Sequence, residues 1–171
     1  MRVAGVILAT IVAVAVQTTV ARFAFRGTLA LDLVLVVVVY ASLILGPVAG
    51  LLTGTFAGLV QDILSSGVVG IGGLSKTLIG FMVGVAGTQF IVNHTVPRFV
   101  VFFLATLAHA TIFIGLYVLL GLRERAVPYG AVLAQATGNA FVGVVAFRLA
   151  ERLPGTANRR GLAGGISRPK R

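Results

Sequence analysis

The sequence is poor in the side chains that most enzymes and metal sites use. Its 171 residues include no cysteine, no tryptophan, two histidines and only four Asp or Glu. The lack of cysteine excludes disulfide bonds, thiol nucleophiles and cysteine-ligated metals. Because so few carboxylates and imidazoles remain to be recruited, we predict no enzyme activity, no metal and no cofactor. Charged residues make up 11% of the chain, whereas a soluble domain carries about 25%.

Apolar residues take the place of the missing charge. They make up 58% of the chain, and its mean hydropathy is +1.06. A soluble protein of this composition would lack a solvated shell, so lipid is the predicted solvent. In lipid, every backbone group must be paired within a helix or a closed barrel. A barrel needs alternating polar and apolar residues, which these segments lack. We therefore predict an all-α membrane protein.

At roughly 20 residues per span, the chain has room for about six transmembrane helices in one bundle. Gly46-Pro47 interrupts the second hydrophobic stretch, since proline disfavours helix at and before its position. A glycine-rich connection is predicted over 67–73. We predict a membrane bundle over residues 1–150 and a basic, disordered cytoplasmic tail over 151–171. The predicted spans cover residues 3–21, 29–45, 48–64, 74–92, 99–122 and about 128–149.

The net charge of +10 is concentrated near the end of the chain, where residues 148–171 hold seven basic residues against Glu151 alone. Such a cluster next to a span favours a cytoplasmic topogenic signal that binds anionic lipid, rather than a nucleic-acid site. Six spans place both termini on one side. That side carries Arg2, Arg98 and the seven residues of the tail, against five basic residues opposite. We predict a plasma-membrane protein with both termini cytoplasmic, an orientation that depends on the tail.

Glycines recur at four-residue spacing in the third and fourth spans. This spacing places them on one helix face, where another backbone can approach closely. The second backbone can belong to this chain or to a partner, and the sequence leaves both possibilities open. The predicted packing face consists of Gly46, Gly50, Gly54, Gly58, Gly80 and Gly84.

Two opposite charges flank the loop between the third and fourth spans. Gln61 and Asp62 end the third span and Lys76 begins the fourth. Because an unpaired charge at the bilayer margin is costly, we predict an Asp62–Lys76 ion pair. A substrate or proton site is the alternative. Asp32 lies near the start of the second helix, where a carboxylate in the first turn complements the exposed N–H groups and the helix dipole.

Three more polar residues are predicted at depth: His109 in the fifth span, and Gln135 and Asn139 one turn apart in the sixth. Hydrogen bonds between helices are the simplest role for all three, since each stabilises a membrane bundle modestly. For His109 a proton relay is the alternative.

The stretches Gly-Leu-Leu-Thr-Gly (50–54), Gly-Leu-Val-Gln-Asp-Ile-Leu-Ser (58–65) and Gly-Ile-Gly-Gly-Leu-Ser-Lys-Thr-Leu-Ile-Gly (70–80) resemble the central signature of the rod shape-determining family MreD. The resemblance extends over about residues 3–149. It implies a non-enzymatic inner-membrane component of the bacterial cell-elongation machinery. The implied partners are the bitopic protein MreC and, through it, the actin-like MreB and the glycosyltransferase RodA with its penicillin-binding partner. It also implies a six-helix fold like that of the substrate-binding subunits of energy-coupling-factor transporters.

A small-molecule-binding subunit of such a transporter is the alternative function. It would use Ala9 and Ala13 to grip a coupling helix, and its pocket would need several convergent polar or aromatic groups. The three tyrosines and the absence of tryptophan offer few such groups. The sequence therefore favours the scaffold.

Overall fold

The computed structural model describes residues 2–23, 31–65, 68–89, 94–122 and 129–152. These residues form six α-helices and no strand, which confirms the predicted helical class for this part of the chain. The predicted tail falls almost entirely outside the described residues. The helices are α1 (Arg2–Phe23), α2 (Leu33–Leu45), α3 (Pro47–Leu64), α4 (Ile71–Gln89), α5 (Thr95–Leu119) and α6 (Tyr129–Arg152).

Four of the described helices, α3 to α6, are long and apolar enough to cross a membrane. Helix α2 has 13 residues and is roughly 20 Å long at 1.5 Å per residue, against about 30 Å of hydrocarbon. The apolar part of α1, Ala4–Thr19, is also shorter than a full span. The predicted second span began at residue 29, but the described helix begins only at Leu33.

The break between α2 and α3 lies where the sequence predicts it. Gly46 has φ 92° and Pro47 is the first residue of α3. The positive φ suits glycine, which has no Cβ to clash, and proline lacks only an N–H that the first helical turn leaves unpaired. The two helices are therefore joined by a tight turn.

Helix α2 lies at the centre of the bundle and contacts each of the other five described helices. One apolar cluster joins it to α4, α5 and α6 around Leu35, Ile79 and Phe102. A second cluster joins it to α1 and α3 around Ala13 and Ala57. The outer faces of the bundle are apolar as well, since side chains such as Phe56, Leu104 and Phe141 are more than half exposed. An apolar exterior of this extent is typical of a protein in lipid.

Candidate functional site

Helices α3 and α4 form a close antiparallel pair through their glycines. A Cβ on Gly50 would overlap the carbonyl oxygen of Gly80, and one on Gly54 would overlap that of Lys76. A Cβ on Gly58 would lie 2.6 Å from the Cα of Gly73. A Cβ on Gly80 or Gly84 would likewise overlap backbone atoms of α3. The predicted packing face therefore packs within this chain.

Gly46 differs from the other members of that face: its carbonyl carbon would lie 3.0 Å from a Cβ on Gly84, but its own Cβ position faces open space. The prediction that close packing requires glycine at this residue is therefore wrong. Nothing lies within 4 Å of the Cβ it would carry. Because α3 begins at Pro47, Gly46 precedes the helix and its positive φ shapes the turn instead. Its backbone N–H donates to the carbonyl oxygen of Ser42 and so closes α2.

Lys76 forms an ion pair in the interior of the bundle. Its Nζ lies 2.8 Å from Oδ2 of Asp32, and the two side chains are 3% and 6% exposed. The predicted Asp62–Lys76 pair is therefore wrong. Lys76 lies more than one turn inside α4, on the side that faces α2 and α5, whereas Asp62 lies beside the first residues of α4.

Asp62 instead caps α4. Its Oδ2 accepts hydrogen bonds from the backbone N–H groups of Gly70, at 2.9 Å, and Gly73, at 3.0 Å. These belong to the amides that the start of a helix leaves unpaired. A Cβ on Gly72 would overlap Oδ1 of Asp62. This cap explains why α4 begins at Ile71, inside the stretch predicted to be a connection.

Asp32 holds the start of α2, as predicted, in addition to pairing with Lys76. Its Oδ1 accepts from the backbone N–H of Leu35 at 2.9 Å. The backbone N–H of Asp32 donates to Oδ1 of Asn139 at 3.0 Å, and that of Val34 donates to Oε1 of Gln17 at 3.2 Å. Side chains from α1 and α6 therefore satisfy amides that would otherwise be unpaired in a water-free interior.

His109 joins the ion pair from α5. Its Nε2 lies 3.3 Å from Nζ of Lys76 and 3.3 Å from Oγ of Ser75. An ammonium group can only donate, so Nε2 accepts and we assign the ring proton to Nδ1. The proton-relay interpretation of His109 stays a prediction.

Asn139 links three helices. In addition to holding Asp32, it donates from Nδ2 to Oγ1 of Thr106 at 3.3 Å. The predicted hydrogen bond between helices is therefore present for Asn139.

Gln135 lies half-buried one turn before Asn139. Gln61 is half-buried at the end of α3, and its Oε1 has no hydrogen-bond partner among the described residues.

We call the connected set of buried side chains between α2, α4, α5 and α6 the polar network. All six members are less than 10% exposed. Ion pairing makes the Asp32–Lys76 charges tolerable at this depth, but removing one partner would leave the other buried and uncompensated. The members of the polar network are Asp32, Ser75, Lys76, Thr106, His109 and Asn139.

A second ion pair joins the start of α5 to the end of α6, and sequence reasoning missed it. Nη2 of Arg98 lies 2.6 Å from Oε1 of Glu151, and its guanidinium carbon lies 4.5 Å from the centre of the Phe147 ring. Arg98 is buried, while the Glu151 side chain is 45% exposed. Arg148 donates to Oγ1 of Thr95 at 3.1 Å in the same region. From the sequence, Arg98 is predicted only to be a topogenic charge.

The fold and this interior define the class of the protein: it is an integral membrane protein, an α-helical bundle with a compact polar network at its centre. The chain belongs to the rod shape-determining protein MreD family, whose family model matches residues 1–147. This match confirms the resemblance and extends well beyond the signature residues. No curated protein and no solved structure matches the chain. The likeness to transporter subunits therefore stays a prediction, while membership of the family gives the protein a role in rod shape determination.

Proposed function

We propose that this protein is a non-enzymatic scaffold of the bacterial cell-elongation machinery in the inner membrane. On this proposal it binds an MreC-like bitopic protein and helps organise peptidoglycan synthesis. It acts indirectly on an MreB-like filament and on RodA with its penicillin-binding partner. The observation that carries the proposal is the family match over residues 1–147.

The interior of the bundle supports a scaffold. The two charged members of the polar network bond to each other, and the network ties four helices together. The close glycine contacts between α3 and α4 are likewise used within the chain. Surfaces outside the polar network and the α3–α4 contact therefore remain for partners.

The arrangement of α1 gives the transporter alternative no support. That function would place Ala9 and Ala13 on one free face for a coupling helix. Ala13 is 7% exposed and packs in the cluster between α1, α2 and α3, while Ala9 is exposed. Two alanines in such different surroundings do not offer one docking face.

Co-purification tests the proposed function. The tagged protein is co-expressed with the MreC-like protein of the same bacterium and purified from membranes in mild detergent, with an unrelated bitopic protein as control. We expect the MreC-like protein to be retained and the control to be lost. Loss of both, together with unchanged rod shape in cells depleted of this protein, would refute the scaffold.

We also propose six crossings with both termini cytoplasmic. The Arg98–Glu151 pair brings the start of α5 to the end of α6, beside Arg148, and the basic residues of the tail follow α6 in the sequence. Positive charge at this end favours the cytoplasmic side. Reporter fusions before Arg2 and after Arg171 are expected to read cytoplasmic, with a fusion in the 123–128 connection reading periplasmic. A periplasmic reading after Arg171 would reject either the six crossings or their orientation.

A further inference from the structure

The ring of helices around α2 has one opening. Going round the ring, α1 packs on α3, α3 on α4, α4 on α5 and α5 on α6. The two ends of this series, α1 and α6, form no extensive packing interface with each other in the described residues. A cylinder accommodates about six neighbours of its own diameter, and packed helices keep similar interaxial distances of about 8–10 Å. Five neighbours therefore leave room for about one more helix.

The burial pattern of α2 locates the opening. Its buried residues, Val34, Leu35, Val36, Val38, Val39, Ala41 and Ser42, cover most of its circumference. A line of less buried residues follows at helical spacing: Leu33, Val37 and Tyr40 are half-buried, and Ile44 is 37% exposed. Leu43 and Leu45, in the last turn of α2, are half-buried as well and lie outside this line. At 100° per residue the four residues of the line fall within a sector of about 60°, which is the width of one missing neighbour.

Contacts on each flank show that this line faces the gap between α1 and α6. The Tyr40 ring lies 4.6 Å, between centroids, from the Phe147 ring of α6. On the other flank, Leu33 and Val37 pack against the cluster that contains Ala13 of α1 and Ala57 of α3. We call this groove the α1–α6 seam, with α2 as its floor and the two helices as its walls.

We infer that the α1–α6 seam is the docking site of a single apolar transmembrane helix, that of the bitopic partner. This inference rests on the proposed function, which supplies a partner with one such helix. The floor from Leu33 to Ile44 is about 17 Å long at 1.5 Å per residue, and it is apolar apart from the Tyr40 hydroxyl. A second copy of this chain would present a whole bundle, which is wider than an opening one helix across.

Disulfide cross-linking tests the inference directly, because the chain contains no cysteine and each introduced thiol is unique. Val37→Cys and Ile44→Cys are each co-expressed with a partner that carries one cysteine at successive positions of its transmembrane helix. Leu78→Cys and Leu104→Cys, which are 42% and 55% exposed on α4 and α5, are the matched controls. A disulfide requires Cβ atoms about 4 Å apart. We expect cross-links with helical periodicity from the two seam positions and none from the controls.

A bulky side chain provides a second measurement. Val37→Trp fills the seam, and we expect it to lower recovery of the partner about tenfold, a loss of about 1.4 kcal/mol in binding. Leu104→Trp places the same side chain on an outer face and is expected to leave recovery unchanged. If Val37→Trp lowers the folded yield, the cross-linking result decides.

The outcomes separate this inference from the proposed function. If the unmodified protein recovers no partner, the scaffold itself fails. If the partner is recovered but cross-links form only from Leu78→Cys or Leu104→Cys, the seam is the wrong surface. Cross-links between two copies at Val37→Cys would assign the seam to self-association. If the partner is recovered, no cross-link forms and Val37→Trp has no effect, lipid rather than the partner occupies the seam and the inference is wrong.

Discussion

The polar network and the Arg98–Glu151 pair are two ways of placing charge in the same bundle. Asp32 and Lys76 are both buried in the interior, where neighbouring helices supply further hydrogen bonds. Arg98 is buried too, but its partner Glu151 is 45% exposed at a helix end. From this difference we expect the loss of one partner to cost more where both partners are buried than where one of them is exposed.

The largest expected effect is the loss of one partner of the buried pair. Lys76→Met leaves the buried carboxylate of Asp32 without its ion-pair partner, and we expect the free energy of unfolding to fall by about 3–5 kcal/mol. Asp32→Asn alone leaves the ammonium group of Lys76 without its partner but keeps a side-chain oxygen that can cap α2. The double variant should recover much of the loss, with a coupling of about 1 kcal/mol or more. Thermal unfolding of the purified variants in detergent measures all three, and strictly additive losses would contradict the pair.

A smaller loss is expected where the backbone of Lys76 meets α3. In Gly54→Ala, the new Cβ overlaps the Lys76 carbonyl, so α3 and α4 must move apart. Overpacking of this kind costs about 1–3 kcal/mol. Gly115→Ala is the control, because nothing lies within 4 Å of the Cβ at this helical position. Equal stability of the two variants in the same unfolding assay would show that close packing of α3 on α4 is unimportant.

Asp62 is a carboxylate that belongs to neither ion pair, so its removal provides a reference for the loss of a buried charge. Asp62→Ala removes the acceptor for the Gly70 and Gly73 amides, and loss of a helix cap costs about 1 kcal/mol. We expect its effect to add to that of Lys76→Met, since the two residues share no contact. Hydrogen exchange of the first turn of α4 should rise in Asp62→Ala. A strong energetic coupling between Asp62→Ala and Lys76→Met would instead support the Asp62–Lys76 pair predicted from the sequence.

The smallest effect is expected at the exposed partner of the second pair. Glu151→Gln keeps the shape of the side chain, and partly exposed ion pairs contribute about 1 kcal/mol or less. Arg98→Met also removes the contact with the Phe147 ring and should therefore cost more. Unfolding in low and high salt distinguishes the two pairs, since salt screens exposed charges much more than buried ones. A loss in Glu151→Gln as large as that in Lys76→Met would refute the distinction between the pairs.

Sequence reasoning located most of the important positions but not their partners. Asp62, Lys76, His109 and Asn139 are predicted as polar residues within the membrane, and Asp32 as a carboxylate that complements the first turn of the second helix. Sequence reasoning paired Lys76 with Asp62 because the two lie close in sequence at facing helix ends. It could not anticipate the side chains of Gln17 and Asn139 at the start of α2, because these contacts join residues far apart in the chain.

Composition and periodicity by themselves determined the solvent, the helical class, the turn at Gly46-Pro47 and the glycine faces of α3 and of α4. These follow from local chemistry: lipid forces backbone pairing within helices, and glycine spacing sets a face. Only the tertiary structure decided that Lys76 pairs with Asp32, that Asp62 caps α4 and that α2 lies at the centre with one side open. Each of these depends on how separate helices are rotated and arranged around one another. When helices are apolar on all faces, their sequences do not indicate which face contacts which neighbour.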